Sequence, residues 1–148
     1  MLLPAQPKDH QQLTQITKLS KAHWGYSPAQ MTAWSEDLTI SEAYITNNLV
    51  YKYVKNKQIV GYYSLTEPEE NNIQLDNLFI LPSKIGKGYG SLLLTAAIAK
   101  AKTEGYTTMT LYSDPHATAF YKKKGFEVIG QLPTSIPNRF LPIMTKQI

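Results

Sequence analysis

The sequence predicts a single mixed domain of the α/β class (α+β type), with a mostly antiparallel sheet and helices on both faces. Three observations predict it. The first third of the chain carries apolar residues at helical spacing. A run of β-rich segments follows, the first two separated by only two residues. The remainder alternates strand, helix, strand, helix and strands. A length of 148 residues suits one domain spanning 1–148, and a hydrophobic fraction of 43% is enough for one core.

The elements follow in order. From Lys8 to Trp24, Leu13, Ile16 and Leu19 fall at helical spacing. In "SPAQ", Ser27 suits a cap, Pro28 the first helical position, and Gln30 a bond back to the cap, which predicts a helix to about Leu38. "SEAYITN" at 41–47 adds a short helical turn. "LVYKYVK" (49–55) and "QIVGYYSLT" (58–66) are rich in β-branched and aromatic residues, and "NK" between them predicts a hairpin turn. "NIQLDNLFIL" (72–81) is a third strand. Gly88 to Glu104 reads as a helix with Leu92, Leu93, Ala96 and Ala97 on the core side, stopped by Gly105. "YTTMTLYS" (106–113) is a strand. In "DPHATAFYKKKG" Asp114 caps a short helix, Pro115 opens it and Gly125 ends it. "FEVIGQL" and "NRFLPIMTK" complete the sheet.

Composition removes several function classes. No apolar run reaches the length of a membrane span. The N-terminus lacks the charged start, apolar segment and cleavage site of a signal peptide. Without cysteine there are no disulfides, no thiolate zinc sites and no cysteine nucleophile, which fits the cytoplasm. The formal charge of +4 and pI near 9.2 suit nucleic acid or a phosphorylated small ligand. Only Arg139 among the 15 basic residues is arginine, the preferred reader of phosphates and guanine edges, which argues against sequence-specific DNA reading. "KKK" at 122–124 covers most sides of a helix and reads as solvated charge.

The most informative stretch is "LFILPSKIGKGYGSLLLTAAIAKA", residues 78–101. Amides at a helix start have no partner within the helix and carry partial positive charge. Glycines let a ligand approach them closely. Lys84 and Lys87 add full charges, so the seam suits a phosphate or pyrophosphate. On glycine spacing alone, a flexible strand-to-helix turn with solvated lysines is the slightly favoured reading, since short glycine motifs match by chance. The P-loop pattern is absent, and GxGxG after a meander strand is not a dinucleotide fingerprint.

Two blocks in sequence order give the seam a context. "LDNLFILP" running into "IGKGYGSLLL" resembles the [Q/R]-x-x-G-x-[G/A] pyrophosphate loop of the GNAT superfamily of acyl-CoA-dependent N-acetyltransferases. "DPHATAFYKKKGF" is similar to that family's N-x-x-A-x-x-[FL]-Y-x-x-x-G-F helix. The element order, with helices after a first short strand and the last strands returning at the C-terminus, also resembles the family. The likeness is strongest from Leu75 to Phe126. Two positions depart from it: Ile85 stands where Gln or Arg is usual, and Asp114 where Asn is usual. A carboxylate cannot donate as an amide does, so capping is the role left to Asp114.

The resemblance implies acetyl-CoA as co-substrate and direct attack by a primary amine. It implies pyrophosphate binding by the amides of Ile85, Gly86, Lys87, Gly88, Tyr89 and Gly90, extended by Ser91 and supported by Lys84. It places the backbone of Leu78, Phe79 and Ile80 beside the acetyl group, with a strand bulge freeing an amide for the acetyl oxygen. Asp114, Ala117 and Tyr121 belong to its cofactor-binding helix, and Tyr121 stands at its catalytic tyrosine. A phenol with a pKa of about 10 remains protonated at neutral pH and can donate to a leaving thiolate; packing as a core tyrosine is the other reading. Asp76, on the strand leading to the loop, is the best-placed carboxylate to accept the amine's proton through water, with bonding to backbone groups an equal reading, and His23 is the runner-up. His23, Trp24 and Tyr26 lie where the family borders its acceptor, although these rings also suit a core. The partners implied are a small-molecule or peptide amine and no membrane; a homodimer is left open. The rival functions are an acyl-CoA sensor without turnover, an acetyltransferase acting on charged tRNA, and a plain interaction domain.

Overall fold

The computed structural model describes all residues, Met1–Ile148. Twelve regular elements run in the order β1 (Leu2–Pro4), α1 (His10–His23), α2 (Pro28–Ala33), α3 (Glu42–Asn47), β2 (Leu49–Lys55), β3 (Gln58–Thr66), β4 (Asn72–Ile80), α4 (Tyr89–Thr103), β5 (Thr108–Tyr112), α5 (Thr118–Lys123), β6 (Glu127–Pro133) and β7 (Phe140–Gln147). Short 3-10 turns precede α1, follow β4 and open α5. The seven strands form one sheet in the order β1-β2-β3-β4-β5-β7-β6. The β1–β2, β2–β3, β5–β7 and β6–β7 pairs are antiparallel, and β4–β5 is parallel. This is the predicted mixed, mostly antiparallel sheet.

Local chemistry explains most boundaries. Ser27 Oγ accepts from the Gln30 N–H (3.1 Å), and Ser41 Oγ from the Tyr44 N–H (3.0 Å), capping α2 and α3. Asn56 and Lys57 take φ of 52° and 64°, the left-handed pair that a two-residue hairpin turn demands. After α4, Gly105 sits at φ 93° and the Tyr106 N–H reaches back to the Ala101 carbonyl (3.0 Å), a helix stop of the Schellman type.

Some expectations shift. The helix predicted from Pro28 to Leu38 ends at Ala33, and the chain continues as separate turns, with Ser35 N–H on Thr32 O (3.2 Å) and Leu38 N–H on Trp34 O (3.0 Å). The buried face of α4 is Leu93, Leu94, Ala97 and Ala101, whereas Leu92 is 39% exposed. The apolar run "LLL" gives two helical faces with nearly equal claim, and packing chose the one rotated by a residue. Periodicity left the three residues of β1 unassigned; they gain strand form by pairing Leu2 with Tyr53 and Leu3 with Lys52.

The chain divides into two compact units: Met1–Leu65 with Asn77–Ala97, and Thr66–Asp76 with Ile98–Ile148. In the first, adjacent residues of β3 meet different helices. Tyr62 hydrogen-bonds Thr17 of α1, and a side chain on Gly61 would point at Leu93 of α4. Neighbouring strand residues face opposite sides of a sheet, so α1 and α4 cover its two faces. Leu13, Ile16, Ile40, Ile45, Val50, Ile59 and Tyr62 form the core on the α1 side. In the second unit, Met109, Leu111, Phe126 and Met144 are buried.

Candidate functional site

The seam between β4 and α4 is built from two glycines in a left-handed conformation, Gly86 (φ 84°) and Gly88 (φ 87°). A side chain at either would meet open space, so backbone shape rather than crowding calls for glycine there. The first intrahelical bond of α4 runs from the Leu92 N–H to the Gly88 carbonyl (3.1 Å). The amides of Tyr89, Gly90 and Ser91 therefore precede the helical ladder and sit at its positive end. The amides of Lys84 and Ile85 are differently placed. They close the 3-10 turn onto Leu81 O (2.8 Å) and Pro82 O (3.3 Å). The run of donors accordingly starts at Gly86, one residue later than the sequence suggested.

Tyr89 holds this helix start in place. Its ring is buried, lies 5.5 Å from the Tyr53 ring, and has the Lys55 ammonium 5.8 Å from its centroid. A hydrogen bond from Lys55 to the Tyr89 hydroxyl raises the pKa of that lysine. The side chain of Tyr89 thus anchors the loop to the β2–β3 hairpin, leaving its backbone as the part that can meet a ligand.

The strand leading in has a defined polarity. Leu81 N–H donates to Val60 O on β3 (2.9 Å). Polar groups of successive strand residues point alternately to either side, so Phe79 also faces β3, and Leu78 and Ile80 direct theirs away. Pairing of β4 with β5 runs from Asn72↔Thr108 to Gln74↔Thr110, and β4 continues to Ile80. Just before Leu78, Asn77 Nδ2 donates to Tyr44 Oη (3.1 Å) and Ser64 Oγ (3.0 Å), which bond each other at 2.8 Å. Sequence reading missed this network, because its members lie far apart in the chain and none has a distinctive neighbourhood.

Asp76 is exposed on β4. His23 and Trp24 at the end of α1 are exposed and make an edge contact at 5.5 Å. Tyr26 meets Trp34 edge-on at 4.8 Å, and the Lys21 ammonium lies 5.3 Å and 5.2 Å from those two rings. These rings line the partly exposed α1–α2 region and belong to no buried core.

In the second unit, Asp114 caps as expected and does more. Its Oδ1 accepts from the His116 N–H (2.9 Å) and lies 2.8 Å from His116 Nδ1, while Oδ2 takes the Arg139 guanidinium at 3.4 Å. The chain's one arginine thus pairs with this carboxylate, and both oxygens of Asp114 are engaged. Ala117 precedes α5, with its N–H on Asp114 O (2.8 Å). Tyr121 is buried among Phe120 and Phe126, at 5.2 Å and 5.7 Å. Burial raises its pKa well above the ordinary phenol value, so it stays protonated throughout the neutral range.

A family model described as an acetyltransferase (GNAT) domain matches residues 12–136. The chain belongs to the GNAT acetyltransferase family. An uncharacterised N-acetyltransferase, ycf52, of Gracilaria tenuistipitata var. liui is 30% identical over 89 residues, 60% of this chain and 49% of the relative. The chain spans about half the length of the curated relatives it matches. Among solved structures, a GCN5-related N-acetyltransferase from Rhodopseudomonas palustris superposes with a TM-score of 0.82 at 24% identity, covering 100% of this chain and 95% of that one. The PaiA N-acetyltransferase of Thermoplasma acidophilum, in complex with coenzyme A, gives a TM-score of 0.80 at 21% identity, covering 100% and 98%. These likenesses confirm the GNAT fold. No helix of the chain is long and apolar enough to cross a membrane.

Proposed function

We propose that this GNAT chain transfers an acetyl group from acetyl-CoA to a primary amine by direct attack within a ternary complex. The observation that carries the reading is the start of α4. Left-handed Gly86 and Gly88 open onto free space, and the amides of Tyr89, Gly90 and Ser91 stand ahead of the helical ladder. That arrangement suits the diphosphate of a coenzyme A, with Lys84 and Lys87 as electrostatic support. Holding so long a handle converts a two-body encounter into a positioned one.

The remaining roles follow from the chemistry of the step. The amine nitrogen bonds to the acetyl carbon, the carbon–sulfur bond breaks, and the amine loses its proton. Amides on the Leu78–Ile80 segment stabilise charge on the acetyl oxygen. Tyr121 serves the departing sulfur. Its raised pKa decides how: full transfer from a phenol above 10 to the anion of a thiol near 8.5 is uphill by at least about 2 kcal/mol. Tyr121 therefore acts as a hydrogen-bond donor to the developing thiolate, and the proton on the product thiol comes from solvent. Asp76, exposed on β4, takes the amine's proton through water. His23, Trp24 and Tyr26 border the acceptor.

A panel of amines with acetyl-CoA, followed by release of free thiol, tests the reading. Turnover with at least one primary amine is expected. Tight CoA binding with no thiol released by any class of amine would replace the enzyme with a CoA-binding sensor.

A further inference from the structure

At Gly61 on β3 the missing side chain makes room for another strand's backbone. A methyl group there would lie 2.8 Å from the Phe79 carbonyl oxygen, 3.0 Å from Leu93 Cδ1 and 3.5 Å from Ile80 Cα. Real side chains do not approach a carbonyl oxygen that closely, and a backbone atom cannot swing aside as a side-chain tip can. The Phe79–Ile80 peptide is planar and trans, so its N–H points opposite to its carbonyl. With the Phe79 oxygen turned onto Gly61, the Ile80 N–H is directed away from β3. The Leu81 N–H bond to Val60 O, on the next peptide, fixes the same polarity independently (2.9 Å).

We infer that Gly61 is a positioning residue for acetyl transfer: its lack of a side chain seats the Phe79 carbonyl against β3 and thereby aims the Ile80 N–H at the acetyl oxygen. The inference rests on the acetyltransferase reading and deepens it. It also selects among the strand's amides. The amide it singles out is that of Ile80, which lies opposite the Phe79 carbonyl on the same peptide. Gly61 touches no substrate. A side chain there would push on the carbonyl, rotate the peptide and misalign the donor, while the loop beginning at Gly86 keeps its own geometry.

The test is Gly61→Ala, read by kcat, KM, coenzyme A affinity by calorimetry, and melting. The expected result is a fall in kcat of about tenfold to a hundredfold, with CoA affinity kept within about threefold. A folded Gly61→Ala protein with full kcat overturns the inference. Gly61→Ala/Leu93→Ala separates the two contacts, since it relieves the helix and leaves the carbonyl clash. Persistent loss of kcat supports the inference, and full recovery overturns it by assigning the effect to helix packing. Should Gly61→Ala not fold, nuclear magnetic resonance on the unaltered protein decides. The Ile80 amide proton should move downfield when acetyl-CoA replaces CoA, and an identical position in both complexes overturns the inference. Failure of the acetyltransferase reading looks different, since the unaltered protein would then release no thiol from acetyl-CoA with any amine.

Discussion

The ring of Tyr121 meets that of Phe126 edge-on, with centroids 5.7 Å apart and planes inclined at 72°. The contact closes the short α5 segment onto the start of β6, helped by the Phe126 N–H on Tyr121 O (3.1 Å). It fixes the phenol in a buried site that favours its neutral form. A structural role and a donor role both follow from this one placement, and substitution by phenylalanine separates them, because the ring packing is retained.

Tyr121→Phe should keep the melting temperature and CoA affinity close to the parent while lowering kcat by about a hundredfold, the range for one well-placed donor. The raised pKa adds a second expectation: no basic limb attributable to Tyr121 appears in the kcat–pH profile up to pH of about 10. Equal turnover by the two proteins removes Tyr121 from the reaction.

Gly86→Ala and Gly88→Ala test the loop through backbone strain, since neither new methyl meets an atom. Placing an L-residue at φ near 85° costs about 1–2 kcal/mol. If binding requires that conformation, each change should weaken CoA by about five- to thirtyfold in calorimetry. Unchanged affinity in both variants would mean that the loop's left-handed turns are not what the ligand uses.

Much of this was legible in the chain. The strand pair at 49–55 and 58–66 came out with its observed bounds because both segments are strongly β-rich and the two residues between them, Asn-Lys, suit a tight hairpin turn. The glycine-rich seam and the Tyr121 helix were recognisable through their joint resemblance to the two family motifs. What escaped depends on partners distant in sequence. Nothing around Asp114 announces Arg139, and nothing around Gly61 announces the Phe79 carbonyl. The amide of Ile85 looked available because a sequence does not reveal that a 3-10 turn has already used it.

Asp114 is expected to matter for stability rather than for turnover. Asp114→Ala removes the cap on the His116 N–H and one partner of Arg139, which is only 16% exposed, and should cost about 1–2 kcal/mol in a denaturation curve. Asp114→Asn keeps an oxygen for the cap and should lose less. A variant as stable as the parent, yet defective in CoA binding, would assign the carboxylate to the ligand instead.

Asp76→Asn addresses deprotonation of the amine. With Asp76 as the general base, kcat/KM should lose its acidic limb and fall by about tenfold to a thousandfold at its plateau. An unchanged profile passes the task to another group, with His23 next to be replaced.

Calorimetry of the folded, unaltered chain with coenzyme A, set against pantetheine, which lacks the diphosphate, tests the central claim most directly. The account predicts saturable heat with coenzyme A and none with pantetheine over the same range. No heat with coenzyme A at millimolar concentration, or equal affinity for both compounds, would contradict it.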